Sequence, residues 1–364
     1  MVSYHHSTPA WKKTHSTGSH RLPVGLVIVV RDEWAYLRAC LESVRASSWV
    51  PSEVIIVVNG RTQARSITLG FATLRVIEMG SNQGPALARN AGVRSCTERY
   101  VAFLDPDTIV DPDWLLHSCK TLDDDPSIGG VQSKLLMVSQ PDSFDYVGDY
   151  MTDYGFLKQI ASVGEKDDGQ HDSVKRIFAL KSAAAIFRRD AIISAGLFDG
   201  DFFVYGEETD LCWRLQLIGY KIVFEPRSRV FHDFPRNEKI RNPFRTYLSK
   251  FHGTKNYIIM NLKNQDLFGM IFVVPIHLAI WIAVLLWHVK ARRTNEARLI
   301  IGAFSYVLTH VPSIAMKRRT IWKISKSWAV RQLYKSVCVK TTPRYFYLKW
   351  LSRGSGWLEV PASS

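Results

Sequence analysis

Two carboxylates one residue apart, Asp105 and Asp107, follow a short apolar run at residues 101–104. Such a run reads as a fully buried strand, and in an open α/β sheet ligands bind beyond the carboxyl ends of the strands. Held on a rigid Pro106 turn, the two acids make a hard oxygen site suited to a divalent cation. A cation there can hold a diphosphate while a bond to it breaks. Asp and Pro are equally favoured in plain turns, so this run by itself fits either role. A second cluster, Glu207, Glu208 and Asp210, sits at a predicted helix N-terminus, where acids act as caps and complement the dipole. Three acids exceed what capping requires, and their apolar surroundings raise a carboxylate's pKa. His232 follows a strand-like run; a lone His there is more often structural than a ligand.

The elements that must position these groups repeat along the chain. Apolar runs at residues 24–30, 53–58, 74–78 and 100–104 read as strands, the second ending at Asn59-Gly60. Helical spacing appears at 34–46, with Tyr36, Leu37, Leu41 and Val44 on one face, and again at 84–94. Strands alternating with helices predict βαβ units and a mostly parallel sheet whose loops form one nucleotide-sized crevice. Neither a GxGxxG run nor a P-loop lysine motif is present, which argues against a dinucleotide dehydrogenase or a kinase. Further strands are expected at 129–138, 181–188 and 220–225, with the polar stretch 139–173 expected as a mobile flap facing the acceptor.

The chain has 364 residues and a net charge of +14. An excess of Lys and Arg suits nucleic acid, anionic lipid or a phosphorylated substrate, and its location decides among them. Charges are interspersed between Pro23 and Val230, whereas after Arg236 the chain is overwhelmingly basic. Five cysteines without paired spacing point to reduced thiols in a cytosolic setting and away from structural zinc. Residues 1–21 lack the apolar core of a signal peptide and are expected as a disordered polar tail. Residues 267–289 contain no acid, Lys or Arg and exceed the ~20 apolar residues that span a bilayer. Residues 299–316 carry Thr309, His310 and Pro312 and are expected to span, re-enter or lie in the interface. Lys250, Lys255 and Lys263, with Arg236, Lys239, Arg241 and Arg245, form a basic connector before the first segment. Lys317, Arg318, Arg319, Lys323 and Lys326 follow the second, so a hairpin with both ends cytoplasmic satisfies the positive-inside rule at its flanks. Lys290, Arg292, Arg293 and Arg298 in the connecting loop break it. The tail mixes basic residues with Trp322, Trp328, Tyr334, Tyr345, Phe346, Tyr347 and Trp350, which suits an anionic membrane surface. Without a recognised nucleic-acid module, no nucleic-acid partner is expected.

Read in order, the stretches LVIVVRDEWAYLRACLESV, EVIIVVNG, NQGPALARNAG, YVAFLDPDTIVDPDWL, GGVQSKLL and FVYGEETDLCWRLQLIGYKI, then VFH, resemble the family 2 glycosyltransferases, inverting enzymes of GT-A fold. The likeness is nearest the rhamnosyltransferase-like branch that builds cell-surface polysaccharides. It implies an α/β, Rossmann-like catalytic domain at residues 22–235. A basic connector (236–266), membrane segments (267–316) and a basic aromatic tail (317–364) would follow. Position by position, the resemblance puts Asp105 near the donor's ribose, and Asp107 with His232 on Mg²⁺ or Mn²⁺. Glu208 falls at the general base, with Glu207 beside it, and Arg89 lies near the donor. Val30, Arg31, Glu33 and Asn59 fall where the family contacts the nucleotide base. Three positions depart from the pattern: Glu208 stands for the usual Asp, VVNG for VVDNGS, and Arg31 for an aromatic. The implied reaction moves a sugar from a nucleotide-sugar donor to a lipid-linked or glycan acceptor, as a hexosyl- or rhamnosyltransferase on the cytoplasmic side of the cell membrane. The alternatives are a polyprenyl-phosphate sugar synthase and a non-catalytic glycosyltransferase-like membrane scaffold.

Overall fold

The computed structural model describes residues 20–61, 71, 73–232, 248–342 and 345. Strand β1 (His20–Val30) lies beside β2 (Trp49–Val58), which lies beside β3 (Leu74–Glu78), and on its other side pairs β4 (Tyr100–Leu104), all parallel. Helices α1 (Trp34–Arg45) and α2 (Gly84–Ser95) make the crossovers. Beyond β4 come β10 (Ala184–Arg188), β6 (Ile128–Met137), β11 (Lys221–His232) and β5 (Thr108–Val110), with β7 (Phe144–Tyr146) on β6. Only β10, β5 and β7 run antiparallel to their neighbours, so the sheet is mostly parallel. Residues 100–104 are continuously apolar because both faces of β4 are covered. Val101 and Phe103 pack in one core, Ala102 and Leu104 in the other. Helices α3 (Trp114–Asp124), α4 (Arg189–Ser194) and α5 (Glu207–Leu217) complete this layer structure.

Several boundaries differ from the sequence reading, each for a physical reason. β1 begins inside the expected polar tail: His20 and Arg21 pair with Trp49 and Val50. β2 starts ahead of Pro51, because residues 49–51 pair only with β1 and the missing proline N–H interrupts no second ladder. β11 runs on past residue 225 through a register shift, exchanging pairs with β6 on one side and β5 on the other. The stretch expected as a mobile flap is pinned to the sheet instead. It contains β7, β8 (Asp149–Thr152) and β9 (Leu157–Gln159), and buried Lys134 of β6 holds Asp167 and Asp172, each at 2.7 Å.

Helices α6 (Gly253–Asn264), α7 (Leu267–Lys290), α8 (Thr294–Thr309), α9 (Val311–Ile324) and α10 (Ser327–Val337) follow, and β12 (Cys338–Val339) returns to pair with β8. Among the described residues α7 alone is long and apolar enough by itself to cross a membrane. Its buried positions Val274, His277, Trp281, Val284 and His288 recur at helical spacing, facing the protein, while Phe268, Phe272, Leu286 and Val289 stay exposed. The second segment is broken. Pro312 opens α9 and the α8–α9 pair bends by 65°. Lys255 and Lys263 of the expected basic connector lie buried in α6, Lys255 donating to the Asp201 carbonyl and Lys263 pairing with Asp199. Arg236, Lys239, Arg241 and Arg245, together with Phe346, Tyr347 and Trp350, lie outside the described residues.

Candidate active site

The acids come together at the carboxyl edge of the sheet. Asp105 leaves β4 with its N–H donating to the Ala183 carbonyl at 3.2 Å, and Thr108 Oγ1 closes the turn by donating to the Asp105 carbonyl at 2.7 Å. The chain reverses into β5, where Thr108 pairs directly with His232 at the end of β11. That register carries the imidazole to the paired acids: His232 Nε2 lies 3.3 Å from Asp107 Oδ1. One ligand atom from each of Asp105, Asp107 and His232 falls within 4.8 Å of the others. The other ring nitrogen, Nδ1, is 3.1 Å from Asp145 Oδ2 on β7, a carboxylate–histidine contact that orients the ring. Burial opposes charge on this ring, but the hydrogen bonds to Asp107 and Asp145 override it and push its pKa up to about 10.

Arg89 on α2 joins this cluster to the second one. Its guanidinium stands 3.7 Å from Asp105, 3.0 Å from Glu207 and 3.4 Å from Glu208. Burial disfavours its charge, yet Glu208, Glu207 and Asp105 outweigh that and hold it firmly as a cation. The two glutamates differ in surroundings. Glu207 is sealed in the interior, where burial and then the neighbouring Glu208 push its carboxyl upward against Arg89. Glu208 retains an open edge, its side chain 18% exposed, and accepts a 2.9 Å hydrogen bond from Ser182 Oγ. Both of Glu208's partners among the described residues engage Oε1.

The remaining expected residues line the same edge one and two strands away. Val30 ends β1 and its carbonyl accepts the Asn59 N–H at 2.7 Å. Arg31 is exposed and paired with Asp32 at 2.9 Å, while Glu33 accepts the N–H groups of Arg31 and Asp32 and so shapes its own loop. Buried Asn59 uses both ends of its amide, donating to Asn82 at 3.2 Å and accepting from Gln83 N–H at 2.9 Å. It therefore anchors the entry to α2, the helix that carries Arg89.

Gly84, the first residue of α2, has φ +81°, and a Cβ there would stand 2.4 Å from the Phe203 carbonyl oxygen. Gly84→Ala is expected to destabilise the protein by about 1–3 kcal/mol. An unchanged thermal midpoint would show that the backbone at Phe203 yields instead.

Asp145, Lys181 and Ser182 were not singled out by sequence. Asp145 stands 87 residues from the histidine it orients, with no motif around it. Lys181 Nζ lies 3.8 Å from Asp145 and above the Tyr146 ring, and Ser182 follows in the small-residue run, the one hint that something approaches closely there.

Fold and site together give an α/β protein whose sheet carries at its carboxyl edge an acidic cluster, Asp105, Asp107 and His232, with the spacing to hold a cation. Comparison with known proteins gives the family. Residues 100–331 match the profile of glycosyl transferase family group 2, and residues 26–158 that of glycosyl transferase family 2. The chain belongs to glycosyl transferase family group 2 and has a mixed α/β fold built on a mostly parallel sheet. Among curated relatives it is 30% identical over 236 residues to a pre-mycofactocin glycosyltransferase of Mycobacterium tuberculosis, covering 62% of this chain and 46% of that protein. It is 23% identical over 211 residues to a poly-β-1,6-N-acetyl-D-glucosamine synthase of Staphylococcus epidermidis, covering 56% and 48%. The chain thus spans about half the length of these relatives. Among solved structures, a mannosyltransferase from Pyrobaculum calidifontis in complex with GDP-mannose and Mn²⁺ shares 13% identity at TM-score 0.47, covering 90% of this chain and 89% of that one. GalNAc-T7 with UDP, GalNAc and Mn²⁺ shares 15% at TM-score 0.49, covering 79% and 57%.

Proposed function

We propose that this glycosyltransferase transfers a sugar from a nucleotide-sugar donor to a lipid-linked or glycan acceptor, in one metal-dependent displacement that inverts the anomeric centre. The observation that carries this reading is the convergence of Asp105, Asp107 and His232 with Glu208 through a single arginine, Arg89. Two carboxylates and an imidazole oriented by Asp145 fit Mg²⁺ or Mn²⁺. Asp107 and His232 would hold the ion, which when bound supplies Lewis-acid stabilisation of the departing diphosphate.

The chain's own residues account for the rest. Glu208 takes the proton from the acceptor hydroxyl as that oxygen attacks the anomeric carbon. Ser182 fixes the orientation of its carboxyl, and the Arg89 guanidinium stands 3.4 Å from the same oxygen. Asp105 faces the donor's ribose. Val30, Arg31 and Glu33 lie on the edge where the nucleotide base would stack or hydrogen-bond, with Asn59 shaping the adjoining loop. No covalent enzyme intermediate is needed, so configuration inverts.

The catalytic unit comprises residues 22–235, and the C-terminal helices seat it on a membrane. The exposed apolar face of α7 supports this, and a membrane-bound acceptor gives that face its purpose by confining enzyme and acceptor to one surface. Because nucleotide sugars are cytosolic, the site faces the cytoplasm.

The test is nucleotide release from a panel of UDP-, GDP- and dTDP-sugars by the full chain with Mn²⁺. One donor class is expected to turn over, EDTA to stop it, and added Mn²⁺ to restore it. Turnover undiminished by EDTA would reject the metal-dependent mechanism. Absence of both turnover and metal-dependent nucleotide binding would leave a non-catalytic scaffold.

A further inference from the structure

A buried charge network outside the cleft joins the C-terminal helices to the helix that carries Glu208. Asp199 is gripped on both oxygens: Lys263 of α6 reaches Oδ2 at 2.5 Å, and Lys317 of α9 reaches Oδ1 at 2.5 Å. Lys263 also holds Asp210 Oδ1 at 2.9 Å, and Lys317 holds Asp201 at 2.6 Å. Asp210 lies in the first turn of α5, two residues after Glu208, and is completely buried. Its Oδ1 also accepts from Asn264 at 2.8 Å and its Oδ2 from Arg214 at 2.8 Å. Each of the three carboxylates here is ion-paired with a cation, which offsets the cost of burying them.

The same helix α6 holds the loop that enters α5. Asn256 Nδ2 donates to the Val204 and Tyr205 carbonyls at 2.9 and 2.6 Å, and Lys255 Nζ donates to the Asp201 carbonyl at 2.6 Å. Tyr205 has φ +68° and Gly206 φ +83°. A bulky residue avoids that conformation unless its surroundings impose it. From α9, Arg318 donates to the Leu262, Lys263 and Gln265 carbonyls, tying the end of α6 to the bent helix pair.

We infer that Lys263 and Lys317 are positioning residues for sugar transfer: from the C-terminal helices, through Asp199 and Asp210, they set the first turn of α5 so that Glu208 faces the cleft. Transfer then depends on the seating of α6–α9, although none of these helices contributes a residue to the acidic cleft described above. The inference rests on Glu208 as the base. A general base loses much of its effect when displaced by as little as an ångström.

Lys317→Met is the informative variant. Lys317 reaches the cluster from a side chain 29% exposed, whereas removing wholly buried Lys263 would strip one cation from each of two buried carboxylates, Asp199 and Asp210. In the full chain in detergent micelles with Mn²⁺, Lys317→Met is expected to lower kcat for the most rapidly hydrolysed donor of the panel by about tenfold. KM should stay within about twofold, because the donor's own contacts are untouched. Lys317→Arg, which can serve both carboxylates, should restore most of kcat. Hydrogen exchange should quicken in residues 203–212 and remain slow in β1 and β4. An unaltered kcat with unaltered exchange would overturn the inference. So would a loss that Arg fails to rescue and that comes with faster exchange across the whole sheet. If no donor turns over, the exchange pattern decides in the same two directions. A Glu208→Gln enzyme that still works, beside a Lys317→Met enzyme that has lost kcat and loosened residues 203–212, would sink the base assignment and leave the positioning role standing.

Discussion

Glu208→Gln is expected to lower sugar transfer by about 10²–10⁴-fold while nucleotide and metal binding persist. Gln keeps the length of the side chain and can still accept from Ser182 Oγ, so the geometry around residue 182 survives. What it loses is the ability to take up a proton. Glu207 is the natural control, since both glutamates touch Arg89 and only one opens to the cleft. Its carboxyl is buried, with no hydrogen-bond partner for Oε2 among the described residues, and burial raises its pKa, so it favours the neutral form at the pH where a base must be ionised. Glu207→Gln should therefore cost less kcat than Glu208→Gln. Single-turnover rates with saturating donor, together with titration calorimetry of the nucleotide, would separate chemistry from binding. Near-wild-type transfer by Glu208→Gln would reject it as the base, and a larger loss at Glu207 would move the role one residue back.

Much of this site was legible in the sequence because its chemistry lies at strand and helix ends. Asp105 and Asp107 follow the end of a buried strand, Glu207 and Glu208 start a helix, and His232 ends a long strand. What joined them could not be read locally. The Thr108–His232 pairing depends on β11 continuing through a register shift, and no periodicity announces a shift. Asp145 lay in a polar stretch that looked like loop, yet Lys134 reaches across from β6 to pin that stretch down.

The C-terminal third shows the same limit from the side of charge. Lys255 and Lys263 read as part of a basic connector, and lysine is rarely buried without a partner. Their partners lay more than fifty residues earlier, in the stretch 199–210, and composition carries no record of such pairing. The apolar stretch 299–316 reads as one segment by hydropathy. Pro312 near its end and the Tyr306–His310 stack, with ring centroids 3.8 Å apart, mark where the structure turns it by 65°.

Asp107→Ala should abolish transfer and remove Mn²⁺-dependent nucleotide binding together, the second large effect expected of the site. Asp107, in the turn between β4 and β5, and His232, at the end of β11, approach each other at 3.3 Å, and without the carboxylate the imidazole and Asp105 make an incomplete hard-cation site. Asp145→Asn tests the orienting contact: it leaves every proposed ligand in place but weakens the partner of His232 Nδ1. A loss of about 10–100-fold in metal affinity is expected. The pH dependence has a definite sign. In the metal-free protein His232 keeps its proton well above the ordinary histidine range, and a cation bound at Nε2 has to displace that proton. Affinity for Mn²⁺, followed by calorimetry, should therefore rise between about pH 6 and about pH 8, with proton release visible as a buffer-dependent enthalpy. Flat affinity over that range, with no buffer dependence, would mean that His232 is not a ligand and that its contact with Asp107 is an ion pair holding the β5–β11 corner.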